Sequence, residues 1–130
     1  MPLVRISLLK GKPVNHVRAI ADSVHSALVE AFGVPQKDRF QLIHQHDPEE
    51  LLYDAEYLDV RRTDDIVVIN VVVSSTRSTA AKQLLYKTIA ANLAKSPGLR
   101  PQDVLIVLSP NQREDWSFGN GIASYVPEEK

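Results

Sequence analysis

The chain has 130 residues, a length that fits one domain with a single core. Its 15 Lys and Arg against 16 Asp and Glu give a formal net charge of −1. No basic field is therefore available for a phosphate backbone, and nucleic acid is not expected as a partner. The absence of cysteine excludes disulfides, thiolate nucleophiles and cysteine-ligated metals. Residues 1–130 are expected to form one domain whose chemistry comes from other groups.

The amino-terminal segment carries no pattern for export or membrane insertion. Charges interrupt its only apolar run, and no small-residue cleavage site follows. No window of the chain approaches the ~18 uninterrupted apolar residues of a membrane span. A soluble, cytoplasmic protein without a membrane partner is the expectation.

The first third of the chain predicts a strand, a helix and a second strand. Leu3 to Leu9 alternates apolar and polar residues, which is typical of a strand with one buried face. Apolar residues at three- and four-residue steps then predict a helix that ends at Gly33. This stripe consists of Val14, Val17, Ala21, Val24, Leu28 and Phe32. Phe40 to His44 is interpreted as the next strand.

The second half of the chain shows the same order of elements. Ile66 to Val73 is an almost unbroken β-branched run, typical of a central strand. A Ser/Thr-rich turn follows, and then a helix that begins after a cap at Ser78 or Thr79 and ends before Pro97-Gly98. Val104 to Leu108 predicts the closing strand.

Sliding one half over the other by 65 residues superposes the strands and places Asp38 on Asp103. The fold class predicted is α/β, with two fused β-α-β units, residues 2–47 and 66–110, forming a four-stranded sheet with two helices on one face. Residues 48–65 form the connection, with a short strand or hairpin around Leu51 to Tyr57, and residues 111–130 form a tail. The open face of the sheet favours oligomerisation.

The second residue is the first candidate for chemistry. A methionine followed by proline is normally removed, which would leave Pro2 as a secondary amine at the start of a strand. An α-amino group has a reference pKa near 7.7–8.0, and burial lowers it because desolvation penalises the cation. Such an amine can serve as an acid or a base at neutral pH. By itself, however, a proline here also fits an ordinary processed terminus.

Three blocks of sequence, taken together with this amine, resemble a known protein family. They are the opening Met-Pro-Leu-Val-Arg-Ile, the block Asp38-Arg39-Phe40-Gln41 that follows Phe32-Gly33-Val34-Pro35, and Asp115-Trp116-Ser117-Phe118-Gly119. With these blocks and its duplicated halves, the chain resembles the tautomerase superfamily, and within it the malonate semialdehyde decarboxylase group. The resemblance implies a homotrimer with an amino-terminal catalytic proline in each active site and no metal or other cofactor.

The resemblance also implies roles for single residues. Pro2 matches the catalytic proline, and Asp38 matches an essential aspartate beside it. Arg77 matches one of two arginines that bind the substrate carboxylate, and Ser75 stands where the second arginine would be. A single guanidinium supplies less charge and a looser geometry than two.

Two aromatic residues complete the set that the resemblance implies. Trp116 and Phe118 match the walls of the pocket, where they would keep water from the substrate carboxylate. The substrate class implied is malonate semialdehyde or a similar 3-oxo acid, which would lose CO₂ to give an aldehyde. Weak tautomerase activity is compatible with the same amine and pocket.

Physical chemistry leaves three functions open. If Asp38 keeps Pro2 charged, the amine can polarise a carbonyl and assist decarboxylation. If burial keeps Pro2 neutral, it can act as the base of an enol–keto tautomerase of the 4-oxalocrotonate or phenylpyruvate type. An uncleaved Met1 would favour the third function, a non-catalytic trimeric binding protein, because the acylated Pro2 nitrogen is then neither a base nor an electrophile. Asp38 and Asp103 also fit a simpler role as turn residues before a strand.

Overall fold

The structure, a computed structural model, describes residues 1–127. The predicted tail, 111–130, therefore lies within the described residues except for 128–130. The helices and strands are β1 (Pro2–Leu9), α1 (Val14–Phe32), β2 (Gln41–His46), β3 (Val67–Ser74), α2 (Thr79–Lys95) and β4 (Val104–Asn111). They confirm the predicted α/β architecture.

The four strands form one mixed sheet in the order β2-β1-β3-β4. Within each unit the two strands are parallel, because a helix connects them. The units meet through β1 and β3, which run antiparallel with Ile6 opposite Ile69. This pairing places both units in one continuous sheet.

The duplication extends beyond the strands and helices. β1 begins at Pro2 and β3 at Val67, an offset of 65 residues, and α1 and α2 begin at Val14 and Thr79 with the same offset. Two short 3₁₀ turns, Pro48–Glu50 and Arg113–Asp115, keep this offset as well. Each is closed by a capping box, in which two polar side chains bind backbone amides at the turn's start.

The core lies between the sheet and the two helices. Alternate residues of β1 and β3 point to this side, and their period of two follows the strand pleat. Ile6 and Ile69 are fully buried, as are Leu28 of α1 and Ile89 of α2. Ser78 caps α2 as predicted, because its hydroxyl accepts a hydrogen bond from the Ala81 amide.

The opposite face of the sheet carries no helix. Leu42, Leu105 and Val107 project from it and are 43%, 39% and 48% exposed. Asn70 and Ser109 lie between them and bind each other at 2.9 Å. The sheet thus presents a mixed apolar and polar surface on this side.

The connection between the units differs from its prediction. The prediction of a short strand or hairpin around Leu51 to Tyr57 is wrong, because this segment forms no strand. Nη1 of the Arg62 guanidinium instead donates hydrogen bonds to the carbonyl oxygens of Asp54, Tyr57 and Val60, at 3.1–3.2 Å. These carbonyls are therefore bound by a side chain rather than by a partner strand, and the segment is a loop organised around Arg62.

Replacement of Arg62 by alanine is expected to lower the free energy of unfolding by about 1–3 kcal/mol, because three carbonyls lose a charged donor. The neighbouring exposed Arg61 offers a matched control, and Arg61→Ala is expected to change stability by less than about 0.5 kcal/mol. Denaturant unfolding of the two variants measures the difference. Equal effects would show that Arg62 does not organise the loop.

Neither helix among the described residues is long and apolar enough to cross a lipid bilayer.

Candidate active site

The pairing of β1 with β2 places Asp38 beside the amino end of the chain. Val4 lies opposite Gln41 in this parallel ladder, so three residues further back Asp38 lies level with Met1. The turn that carries Asp38 begins where Gly33 ends α1 with φ +66°, a conformation that glycine adopts without strain. The Asp38 carboxylate forms an ion pair with the Met1 amino group.

Pro2 is buried as the first residue of β1. Three covalent bonds of about 1.3–1.5 Å separate its nitrogen from that of Met1, so the two nitrogens lie within about 4 Å of each other. Loss of Met1 would convert the Pro2 nitrogen from an amide into the terminal amine. That amine would then lie within short range of Asp38.

Met1 fills the space around this end of the sheet. The side chains of Met1 and Asp38 are only 10% and 16% exposed. Burial lowers the pKa of the terminal amino group, and the positive charge of Arg77 lowers it further. The Asp38 carboxylate acts in the opposite direction, because a negative charge in contact favours the ammonium form.

Arg77 reaches the same end of the sheet from the turn after β3. Its Nη2 donates to the carbonyl oxygen of Phe32 at 3.3 Å, and its Nη1 donates to the Thr76 hydroxyl at 2.9 Å. The guanidinium carbon also lies 4.7 Å from the centre of the Phe32 ring, a cation–π distance. The end of α1 therefore fixes the position of the guanidinium.

Ser75 precedes Arg77 by two residues and is held by the end of β4. Its amide donates to the Asn111 carbonyl at 2.8 Å, and its hydroxyl accepts from the Gln112 side chain at 3.3 Å. The site therefore holds one guanidinium and one hydroxyl at the two positions where the resemblance implies a pair of arginines.

Trp116 and Phe118 form an aromatic cluster next to these residues. Their rings stack at 5.4 Å with an interplanar angle of 8°, and Phe118 also contacts the rings of Phe40 and Tyr125. The Trp116 indole N–H donates to the Asn111 side chain at 2.8 Å, which fixes its orientation.

A cavity of about 420 Å³ lies against this cluster and is called the aromatic cavity below. Leu3 and Val72 from the open face of the sheet complete its wall. Pro2 belongs to the other face of β1, so the aromatic cavity begins one residue from the candidate catalytic nitrogen.

The predicted residues thus form two neighbouring groups. The structure brings Asp38 and Arg77 to the amino end of the chain and gathers Ser75, Trp116 and Phe118 along the end of β4. Pro2 and Leu3, adjacent in β1, join the two groups.

Two residues with a positioning role were missed by sequence reasoning. Phe32 holds Arg77, and Asn111 holds Trp116. The sequence places Phe32 in the helix stripe and in the segment before Asp38, but neither pattern indicates its contact with Arg77, which lies 45 residues away. No local sequence pattern marks such a contact.

Asp103, the counterpart of Asp38, has a different role. Its side chain is fully buried and accepts hydrogen bonds from the Thr63 amide at 2.6 Å and the Thr63 hydroxyl at 2.9 Å. Arg100 lies 3.6 Å away. Asp103 therefore stabilises the connection, whereas Asp38 faces the amino end.

A metal site does not emerge from the described residues. Within 1–127, no three His, Cys, Asp or Glu side chains are grouped to hold an ion. His44 and His46 do lie on one face of β2, where their rings stack at 6.4 Å.

These features define a class, namely duplicated β-α-β proteins with a candidate site around the amino end of the chain. A family model described as tautomerase enzyme matches residues 38–119, and a second with the same description matches residues 2–61. The chain therefore belongs to the tautomerase family. Two relatives from Bacillus subtilis (strain 168) are the probable tautomerases YusQ and YrdN, 39% and 34% identical over 126 residues. These matches cover 97% of this chain and 99% and 97% of the relatives.

Solved structures agree with the resemblance to the malonate semialdehyde decarboxylase group. One malonate semialdehyde decarboxylase is 34% identical with a TM-score of 0.90, and the match covers 95% of each chain. The FG41 malonate semialdehyde decarboxylase, inhibited by 3-bromopropiolate, is 38% identical with a TM-score of 0.89, covering 95% of this chain and 93% of that one. A fused 4-OT, described as a symmetric trimer, shares the fold at 18% identity and a TM-score of 0.77, over 95% and 97% of the chains.

Proposed function

We propose that, after removal of Met1, the protein decarboxylates malonate semialdehyde or a similar 3-oxo acid to an aldehyde and CO₂, with Pro2 as a catalyst that needs no cofactor. The observation that carries this proposal is the ion pair between Asp38 and the amino group of Met1, which places the carboxylate close to the nitrogen of Pro2, the next residue. The similarity to two malonate semialdehyde decarboxylases supports the substrate class.

In this proposal Asp38 holds the Pro2 amine in its charged form. The ammonium donates a hydrogen bond to the carbonyl oxygen at C3 of the substrate. When the bond between C2 and the carboxylate breaks, its electron pair moves toward that oxygen as CO₂ leaves. The enolate then takes a proton from a water molecule at C2, and the aldehyde is released.

Arg77 orients the substrate carboxylate, with the Ser75 hydroxyl beside it. Phe32 holds the guanidinium in place through its ring and its carbonyl. A single guanidinium leaves the departing carboxylate less stabilised than two would, and a carboxylate that is poorly solvated loses CO₂ more readily. Trp116 and Phe118 limit its access to water.

Replacement of Arg77 by methionine is expected to lower kcat/KM about 10- to 100-fold, because a charge-assisted hydrogen bond contributes about 1.5–3 kcal/mol. The matched control is Lys12→Met at the equivalent position of the first unit, where the lysine forms an ion pair with Asp65 instead. This control is expected to keep its activity. Steady-state kinetics decide the matter, and equal activity in both variants would remove Arg77 from the site.

An enol–keto tautomerase is the second candidate function. It is favoured by the lowering of the terminal amine's pKa through burial and Arg77, since a neutral amine acts as a base. The names of the two Bacillus relatives point the same way. In this case Pro2 removes a proton from the enol substrate while Arg77 binds the carboxylate.

Parallel assays on the Met1-free protein separate the two functions. Release of CO₂ and acetaldehyde from malonate semialdehyde supports the decarboxylase, with phenylenolpyruvate turned over weakly. Rapid ketonisation of phenylenolpyruvate without CO₂ release supports the tautomerase. Inactivity in both assays supports the third alternative, a non-catalytic binding protein.

The proposal includes a homotrimer. Exposed apolar side chains on the open face of the sheet, among them Leu42 and Val107, would be covered by neighbouring copies. The trimeric fused 4-OT supports this assembly. Light scattering is expected to give three times the chain mass of 14.5 kDa.

A further inference from the structure

The duplication has also produced a second cavity. It occupies about 720 Å³ at the opposite end of the open sheet face and is called the distal cavity below. Each of the eight residues that line the aromatic cavity has a counterpart, 65 positions away, that lines the distal cavity. Trp116 corresponds in this way to Leu51, and Phe118 to Tyr53. The two cavities are therefore copies of one structural feature.

The distal cavity has counterparts of the lining residues but not of the proposed reactive groups. The counterpart of Pro2 is Val67, whose nitrogen is an internal amide. The counterpart of Asp38 is Asp103, which is buried and bonded to Thr63. Without an amine or an available carboxylate, the distal cavity has no means of performing the proposed chemistry.

The charged side chains around the distal cavity already have partners in the chain. Nη1 of Arg62 donates to three backbone carbonyls. The Glu50 carboxylate accepts from the Asp47 amide at 3.1 Å, and the Asp54 carboxylate accepts from the Glu56 amide at 2.8 Å. These charges stabilise the loop, so a charged ligand would compete with bonds that exist.

The remaining surface of the distal cavity is apolar with few polar groups. Ile66, Val68 and Leu105 form its floor, and the rings of Tyr53 and Tyr57 lie in its wall. The Tyr53 hydroxyl donates to Asp64 at 2.6 Å. His46 remains as a hydrogen-bonding group in the wall. Apolar walls with one or two polar groups are typical of small-molecule sites.

We propose that the distal cavity is a second ligand site, which binds an uncharged molecule with an aromatic ring and one hydrogen-bonding group, such as a phenol. The ring would pack between the aliphatic floor and the tyrosines, and its polar group would face His46. This inference does not rest on the proposed catalytic function.

The test is a titration of the full chain with p-cresol, followed by methyl NMR. The methyl groups of Ile66, Val68 and Leu105 are expected to shift in a saturable manner. The matched probe 4-methylbenzoate has the same ring with a negative charge, and it is expected to bind at least tenfold more weakly at this site. Equal binding of the two probes would overturn the proposed ligand class.

Two variants fill the distal cavity with side chains that the other unit already carries. Leu51→Trp reproduces Trp116, and Leu105→Phe reproduces Phe40. Either change is expected to weaken p-cresol binding at least tenfold. Leu84→Trp, on the exposed side of α2, is the control and is expected to leave binding unchanged.

Three outcomes would overturn the proposal. The first is the absence of saturable shifts, including the case in which contacts from a neighbouring copy fill the distal cavity. The second is binding that the filling variants do not weaken, and the third is p-cresol binding confined to the aromatic cavity. Because binding is read from methyl groups, a failure of catalysis leaves this test unaffected.

Discussion

A chain that retains Met1 is expected to lose turnover at least about 10³-fold relative to the trimmed chain. With Met1 in place, the Pro2 nitrogen is an amide whose lone pair is delocalised, so it is neither a base nor a useful acid. The Met1 side chain also fills the space around the amino end, where only 10% of it is exposed. With Met1 in place, the Pro2 nitrogen therefore cannot act as the catalyst, and the substrate has no room beside it.

The comparison requires the two forms of one sequence. Expression with methionine aminopeptidase inhibited gives the Met1 form, which intact mass spectrometry identifies. Treatment of that form with purified aminopeptidase is expected to restore activity in proportion to the trimmed fraction. Full activity with Met1 still present would show that another group carries out the chemistry.

Replacement of Asp38 by asparagine is expected to lower CO₂ release about 10²- to 10⁴-fold. The change removes the negative charge next to the amino end but keeps the shape of the side chain. The pKa of the Pro2 amine should then fall, because burial and Arg77 act on it unopposed. Stability should change little, because asparagine keeps the volume of the side chain and the amine can lose its proton when the opposing charge is removed.

The internal repeat provides a matched control in Asp103→Asn. Asp103 accepts two hydrogen bonds from Thr63 and is fully buried near Arg100. Its substitution is expected to lower the free energy of unfolding by about 2–4 kcal/mol and to leave kcat of the folded protein unchanged. Denaturant unfolding and steady-state kinetics should therefore separate the two variants. Asp38→Asn should lower kcat and keep stability, whereas Asp103→Asn should lower stability and keep kcat. If Asp38→Asn instead reduced stability and kept kcat, Asp38 would be a turn residue only.

The arrangement of helices and strands was predictable because it depends on local periodicity. The alternation of Val4, Ile6 and Leu8 sets one face of β1, and the recurrence of this pattern at residues 69–73 predicts the second unit. Buried side chains in the structure follow these periods. The predicted second strand needed only small shifts of its ends, from Phe40–His44 to Gln41–His46.

The connection and the details of the site were not predictable from periodicity. Arg62 determines the loop through three carbonyls, and a hairpin pattern cannot anticipate a side chain that binds them. Asp38 and Asp103 occupy equivalent positions in the sequence, yet one faces the amino end and the other binds Thr63, 40 residues away. Their different roles arise from tertiary contacts.

The central claim, that Asp38 keeps the Pro2 amine protonated for catalysis, is tested most directly by titration of that nitrogen. The protein is labelled with ¹⁵N-proline, freed of Met1 and followed by NMR as the pH rises. We predict an amine that is mainly protonated at pH 7, a lower pKa in Asp38→Asn, and loss of CO₂ release as the pH passes through the wild-type value. A mainly neutral amine at pH 7, with a pKa that Asp38→Asn does not change, would contradict the account.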